Sequence, residues 1–138
     1  MPPPLRIISG GQTGGDLAGL VVGRRLGLPT GGTAPKGWRT EKGPQPVLAE
    51  YGLVEDTSSD WDPRTRKNIQ DADATLIFGS IARPGGTRNT AGYMRRRPAS
   101  PSSSSTQTIN IAGHRESRRP GICRAVIQVL ELAIHGYS

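Results

Sequence analysis

Two stretches combine glycine with hydroxyl or acidic side chains in a way that could hold an anion. Gly10-Gly11-Gln12-Thr13-Gly14-Gly15-Asp16 and Pro84-Gly85-Gly86-Thr87 each follow a short apolar run. Glycine lets a backbone come close to a bound group. The N–H groups at the start of a following helix are unpaired and lie at the positive end of its dipole, so such a loop suits a phosphate. One glycine loop alone is as readily a tight turn, but two on the same sheet edge favour an anion site. Gly10, Gly11, Gln12, Thr13 and Gly14, with Gly85, Gly86 and Thr87, are therefore the candidate binding residues. Lys36 and Arg39 from a second loop, and Arg115 with Ser117 from a fourth, would add charge and donors. Most of the 18 Lys and Arg side chains, Arg95-Arg96-Arg97 and Arg118-Arg119 among them, are read as solvated surface.

Other chemistries find less support. The single cysteine, Cys123, beside the apolar Ile122, reads as core or half-buried and excludes an internal disulfide or a cysteine metal cage. His114 and His135 have no partner at metal spacing, so no metal site is assigned. Asp60 and Asp62 flank Trp61, but Asp62 before Pro63 is better used as a helix cap. No nucleophile–base–acid set stands out, and no catalytic residue is assigned.

The elements that must position these loops alternate. Leu5 to Ser9 predicts a buried strand. A helix follows through Leu26, with Leu17, Leu20, Val21 and Ala18 on its apolar face, Thr13 and Asp16 as a capping box, and Gly27 and Pro29 as its stop. Thr30 to Ala34 predicts a short strand, then a polar loop to about Pro46, and Leu53-Val54 a brief extended piece. A helix with Asp62 as cap and Pro63 first would expose Arg64, Lys67 and Asn68. Ala74 to Gly79 reads as the clearest buried strand, and Thr90 to Arg97 as helical. Residues 98–107 form a low-complexity Pro/Ser loop. Thr108 to Ala112 is a strand, and Ile122, Val126, Val129, Leu130 and Ala133 share one face of a last helix. Alternating strands and helices imply an α/β fold with an open parallel sheet, whose loops after Ser9, Ala34, Gly79 and Ala112 gather along one edge.

The 138 residues suit one domain, 1–138. With 33% apolar and 4% aromatic residues, 19 Gly and 12 Pro, the core is modest and self-association is expected. The net charge of +7 points to an anionic ligand or partner. Nucleic acid is disfavoured because the charge lacks interleaved aromatics or a recognised motif. No apolar run approaches the roughly 20 residues that span a bilayer, and a first strand at about Leu5 leaves no room ahead of it for a targeting peptide. A cytoplasmic protein without a membrane role is expected.

Five blocks in order resemble the molybdenum cofactor carrier proteins, which belong with the Lonely Guy phosphoribohydrolases and YpsA-like proteins. They are Ile8 to Asp16, Ala34 to Arg39, Arg64 to Asn68 with Ala72 to Ile77, Gly85-Gly86-Thr87, and Ile109 to Ser117 with Pro120-Gly121-Ile122. The resemblance implies a Rossmann-like sheet with flanking helices, commonly a homotetramer. It implies a role in binding, storing and protecting the molybdenum cofactor (molybdopterin) for molybdoenzymes or cofactor-synthesis proteins. Gly15 stands where the family usually has an aliphatic residue and His114 where it has proline. The Pro/Ser segment replaces a strand–helix unit, so the sheet can be one such unit short. Two alternatives are a nucleotide-ligand sensor in the same loops and a Lonely Guy-type phosphoribohydrolase. The hydrolases place a catalytic glutamate just after their glycine-threonine loop, where this chain has Arg88 to Gly92 without an acid. On the sequence alone, Gly11→Ala and Gly14→Ala are expected to weaken ligand binding and to leave the fold largely intact.

Overall fold

The computed structural model describes residues 4–79, Gly92 and 106–137, the last few by backbone alone. In chain order the elements are strand β1 (Leu5–Ile8), helix α1 (Gly15–Arg25), β2 (Thr30–Ala34), hairpin strands β3 (Arg39–Thr40) and β4 (Gly43–Pro44), and a 3-10 segment, Pro46–Tyr51. There follow β5 (Leu53–Glu55), α2 (Trp61–Asp71), β6 (Ala74–Phe78), β7 (Gln107–Gly113) and α3 (Ile122–Tyr137). Five strands make one parallel sheet in the order β5-β2-β1-β7-β6. This is the Rossmann-like α/β architecture that the alternating pattern implies. The candidate residues Gly85, Gly86 and Thr87, all but Gly92 of the helix expected at Thr90 to Arg97, and nearly all of the Pro/Ser loop lie outside the described residues.

Central β1 is apolar because both its faces are covered. Ile7 and Ile8 are each 1% exposed. Ile7 and its neighbours Ile109 and Ile111 pack beneath Ala18 and Val22 of α1 and Ile122, Val126 and Leu130 of α3. Each fully buried Ile, Val or Leu of this set contributes about 1.5–3 kcal/mol on burial. Leu20, Ala34, Leu48 and Leu53 make a second cluster between α1 and the 3-10 segment. Helix α2 leads from the β5 edge to the β6 edge, and its buried stripe of Asn68, Ile69 and Ala72 packs toward β2 and β7.

Several sequence expectations are corrected. Helix α1 has Gly14 as N-cap and no side-chain cap bond, because the Thr13 hydroxyl and the Asp16 carboxylate are engaged by other segments. Helix α2 starts two residues early, with Asp60 rather than Asp62 as N-cap. Arg64 and Asn68 do not lie on an exposed face. Asn68 is 1% exposed, and its amide accepts from the Thr33 N–H at 2.8 Å and donates to the Thr33 carbonyl at 3.0 Å. Strand β6 is the edge of the described sheet, with Leu76 exposed. In α3, Val129 and Ala133 point to solvent, since the buried residues follow the spacing Ile122, Val126, Leu130.

The β1–α1 turn is interlocked with the β7–α3 loop. The Gly15 N–H donates to the His114 carbonyl at 3.1 Å. Gly14 has φ 81°, and a Cβ there would run into the His114 carbonyl and approach the Glu116 nitrogen at 2.8 Å. The sequence expectation that Gly14→Ala spares the fold is thereby corrected: neither backbone can give way without breaking the interlock. Gly27 also has positive φ, 71°, but nothing lies within 4 Å of its absent Cβ. Urea unfolding should show Gly27→Ala costing about 1 kcal/mol, from the left-handed backbone alone. Gly14→Ala should cost more than about 2 kcal/mol. Equal midpoints for the two variants would show that the interlock contributes nothing.

Candidate functional site

Strand β1 ends at Ile8, while β2 and β7 run on to Ala34 and Gly113. The turn after β1, the start of α2 and the β7–α3 loop converge on the space this leaves. Asp16, in the first turn of α1, is 4% exposed and pairs with Arg64 of α2, Nη1 to Oδ2 at 3.3 Å. Burial pushes its carboxyl above the ordinary range, against the charge of Arg64 and the backbone N–H groups of Gln12 and Gly113. Arg64 lies directly over Gly10, where a Cβ would collide with the guanidinium. Gly10 is thus the bare floor on which an arginine rests.

A second carboxylate ties the outer rim. Glu41, in the turn between β3 and β4, accepts from the Thr13 hydroxyl, the Ser117 hydroxyl and, at 3.2 Å, the Ser117 N–H. Its own N–H donates to Gln12 Oε1 at 2.9 Å. What burial there is opposes its charge, but the Ser117 and Thr13 donors and the Arg115 charge hold the carboxyl below its ordinary 4.5. A third carboxylate, Glu116, accepts the Gly121 N–H at 2.6 Å and the Cys123 N–H at 3.0 Å, filling the N-terminus of α3. Burial and the charges of Arg118 and Arg119 lower the pKa of His114, which favours the neutral ring.

Between these groups lies a cavity of about 350 Å³, a volume in the small-molecule range. Gly10, Gln12 and Asp16 wall it on the β1 side, Trp61, Arg64 and Asn68 on α2, and Asn110 to Arg115 with Ser117 and Arg118 along β7 and its loop. Three guanidinium groups surround the Trp61 ring, Arg39 at 4.1 Å, Arg115 at 5.2 Å and Arg64 at 5.8 Å from its centroid.

Of the candidate residues, Gly10, Gln12, Arg115 and Ser117 line the cavity, and Arg39 reaches it through Trp61. Thr13 joins through Glu41. Gly11 faces Leu48 and Leu53 instead, Gly14 faces the β7–α3 backbone, and Lys36 is exposed on the second loop. Asp16, Glu41, Trp61, Arg64, Asn68 and Asn110 are additional residues of the site that the sequence reading did not select. The spacing of Thr65, Asn68, Ile69 and Ala72 is a helical stripe that could have placed Asn68 inward. Among the described residues no group of three or more His, Cys, Asp or Glu is placed to hold a metal ion.

The architecture and this edge cavity define a Rossmann-like α/β protein with a small-molecule-sized site at the carboxyl ends of its strands. The profile of the circularly permutated YpsA SLOG family matches residues 7–101, and the chain belongs to that family. It is also similar, at 32% identity over 94% of each chain and with a TM-score of 0.80, to a protein of Syntrophus aciditrophicus SB. That crystal structure, at 1.45 Å resolution, is of a "Putative molybdenum carrier protein". No curated protein matches the chain.

The depressed Glu41 pKa sets a pH dependence. Its stabilising contribution is complete above the ordinary 4.5 and is lost as pH falls through the lower folded value. Thermal melts should find Glu41→Gln less stable than wild type at pH 7, by a few degrees, with the gap closing below about pH 4.5. A gap that does not change with pH would show that the charge of Glu41 is not what ties the loops.

Proposed function

We propose that this protein is a carrier that binds, stores and protects the molybdenum cofactor in the edge cavity and releases it to molybdoenzymes or cofactor-synthesis proteins. The observation that carries the reading is the charge of that cavity. Arg64, Arg115 and Arg118 line it with Asp16 and Asp62, and burial opposes the ionisation of Asp16. A site so biased selects an anion, and the cofactor offers anionic groups at both ends, a pterin-linked phosphate and the oxo groups on molybdenum. The name given to the Syntrophus protein supports the same reading. Gly10, Gln12, Arg115 and Ser117 would meet the ligand directly. Gly11, Thr13, Gly14, Lys36 and Arg39 would shape or charge the loops around it, and Gly85, Gly86 and Thr87 remain proposed ligand-binding residues on the strength of their sequence. The carrier would work in the cytoplasm as a homotetramer, which light scattering of dilute protein would report. Among the described residues no helix is long and apolar enough to cross a membrane.

A second reading has one observation in its favour: Asp16 is a buried carboxyl with a raised pKa in the cavity wall, as an acid–base catalyst can be. Its contacts argue for a structural role, because Arg64 and two backbone N–H groups already share it. Proton transfer by a positioned carboxyl accelerates a reaction by about 10²–10⁴-fold, so the two readings separate cleanly.

Protein purified from a cofactor-producing host should release a fluorescent oxidised pterin and molybdenum, and apo-protein should slow the oxidative loss of added cofactor. Adenosine monophosphate and its N6-modified analogues should yield no free base above background. Steady release of base would overturn the carrier reading in favour of a hydrolase, and a bound nucleotide in place of pterin would favour a sensor.

A further inference from the structure

Two buried donors, on residues that line the cavity, have no acceptor among the described residues. Gln12 is 4% exposed, and its amide is fixed one way round. Its Oε1 accepts the Thr13 N–H at 3.0 Å and the Glu41 N–H at 2.9 Å, so Nε2 must be the donor end. Nε2 is buried and bonded to none of the described residues, and the same holds for Arg64 Nε. Both residues line the same cavity and both adjoin Asp16, Arg64 through its Nη1 and Gln12 through its backbone N–H. A buried donor left without an acceptor is destabilising, because it has given up water and gained no partner. Two of them beside one carboxylate are a cost that a ligand bringing oxygen atoms would relieve.

Of the other donors that the sequence pointed to, Thr13 and Ser117 are already taken. Glu41 holds Thr13 and Ser117, and Glu116 fills the N-terminus of α3. The buried donors left unpaired among the described residues are instead Gln12 Nε2 and Arg64 Nε. One of the two belongs to a guanidinium, so the pair carries positive charge of its own beside Asp16. A carboxamide N–H and a guanidinium N–H together match the oxygens of an oxyanion.

We infer that Gln12 Nε2 and Arg64 Nε, braced by Asp16, form an oxyanion subsite at the β1 side of the cavity. It takes tetrahedral oxygens, supplied either by a phosphate group or by an oxometallate. The inference rests on the reading of this cavity as the ligand site, and it specifies which end of the ligand is read there.

The test uses wild-type protein labelled with ¹⁵N, titrated separately with inorganic phosphate and with molybdate against a chloride control of equal ionic strength. The side-chain signals of Gln12 Nε2 and Arg64 Nε should shift and saturate with at least one oxyanion, and the tighter of the two names the source. Gln12→Glu, which turns the donor into an acceptor, and Arg64→Lys, which keeps the charge but loses Nε, should each weaken that binding at least 10-fold. Silent side-chain signals with both oxyanions, or unchanged affinity in both folded variants, would overturn the subsite. Should either variant fail to fold, the wild-type shifts decide. Pterin release is measured on separate samples: a protein that carries pterin but has silent signals loses only the subsite, and one with responsive signals but no pterin loses only the carrier reading.

Discussion

Asp16 is the constraint on which the remaining geometry hangs. Its carboxylate sits where three segments meet: the turn after β1 through the Gln12 N–H, the end of β7 through the Gly113 N–H, and α2 through Arg64. These segments lie far apart in the sequence. A buried carboxylate without such partners would be strongly destabilising, so each segment is held by the need to keep that group satisfied. The cavity wall is the by-product. Because Asp16 faces inward to bind these partners, Arg64 is drawn over Gly10, and Gln12 is turned so that its carbonyl oxygen serves the rim and its nitrogen does not.

Three carboxylates of the chain itself, from Asp16, Glu41 and Glu116, occupy positions that a glycine-rich loop would otherwise offer to a phosphate. This changes what the glycines do. Gly14 and Gly15 let two loops touch backbone to backbone. Gly10 gives room to an arginine, and only the last of these bears on the wall of the cavity. An anion-binding loop and a loop that packs tightly against another need the same residue type, and the difference lies in what approaches from the far side.

Much of the architecture was legible because it rests on local patterns. The apolar run of β1 ending in glycine, the stop at Gly27, the short strand Thr30–Ala34 and the strand at Thr108 to Ala112, observed as Gln107–Gly113, all follow from composition and period over a few residues. The edge strand β6 misled for the same reason. Ala-Thr-Leu-Ile-Phe is apolar enough for a central position, and its sequence does not say which neighbours it pairs with. The site was less legible. Gln12, Arg115 and Ser117 were found because glycines and charges flagged their loops. Arg64 and Asp16 form a pair across 48 positions of sequence, and Glu41 acts from a hairpin of two-residue strands, too short for any alternation to show. Charges read one at a time look solvated, and only the fold tells which have been brought together.

Asn68 has a wider effect than its two hydrogen bonds suggest. By pairing with both the N–H and the carbonyl of Thr33, it stands in for the residue that a longer β1 would have placed beside β2. The sheet is spliced at that point: a helix side chain continues a ladder that the strand has abandoned. Any tilt of α2 away from the sheet would break both bonds at once, so the helix that carries Trp61 and Arg64 is registered to the strands with the precision of a strand itself. The α2 side of the cavity is consequently a fixed wall rather than a jaw. A ligand meets Trp61 and Arg64 where the strands hold them, and on that side discrimination rests on shape and charge already in place.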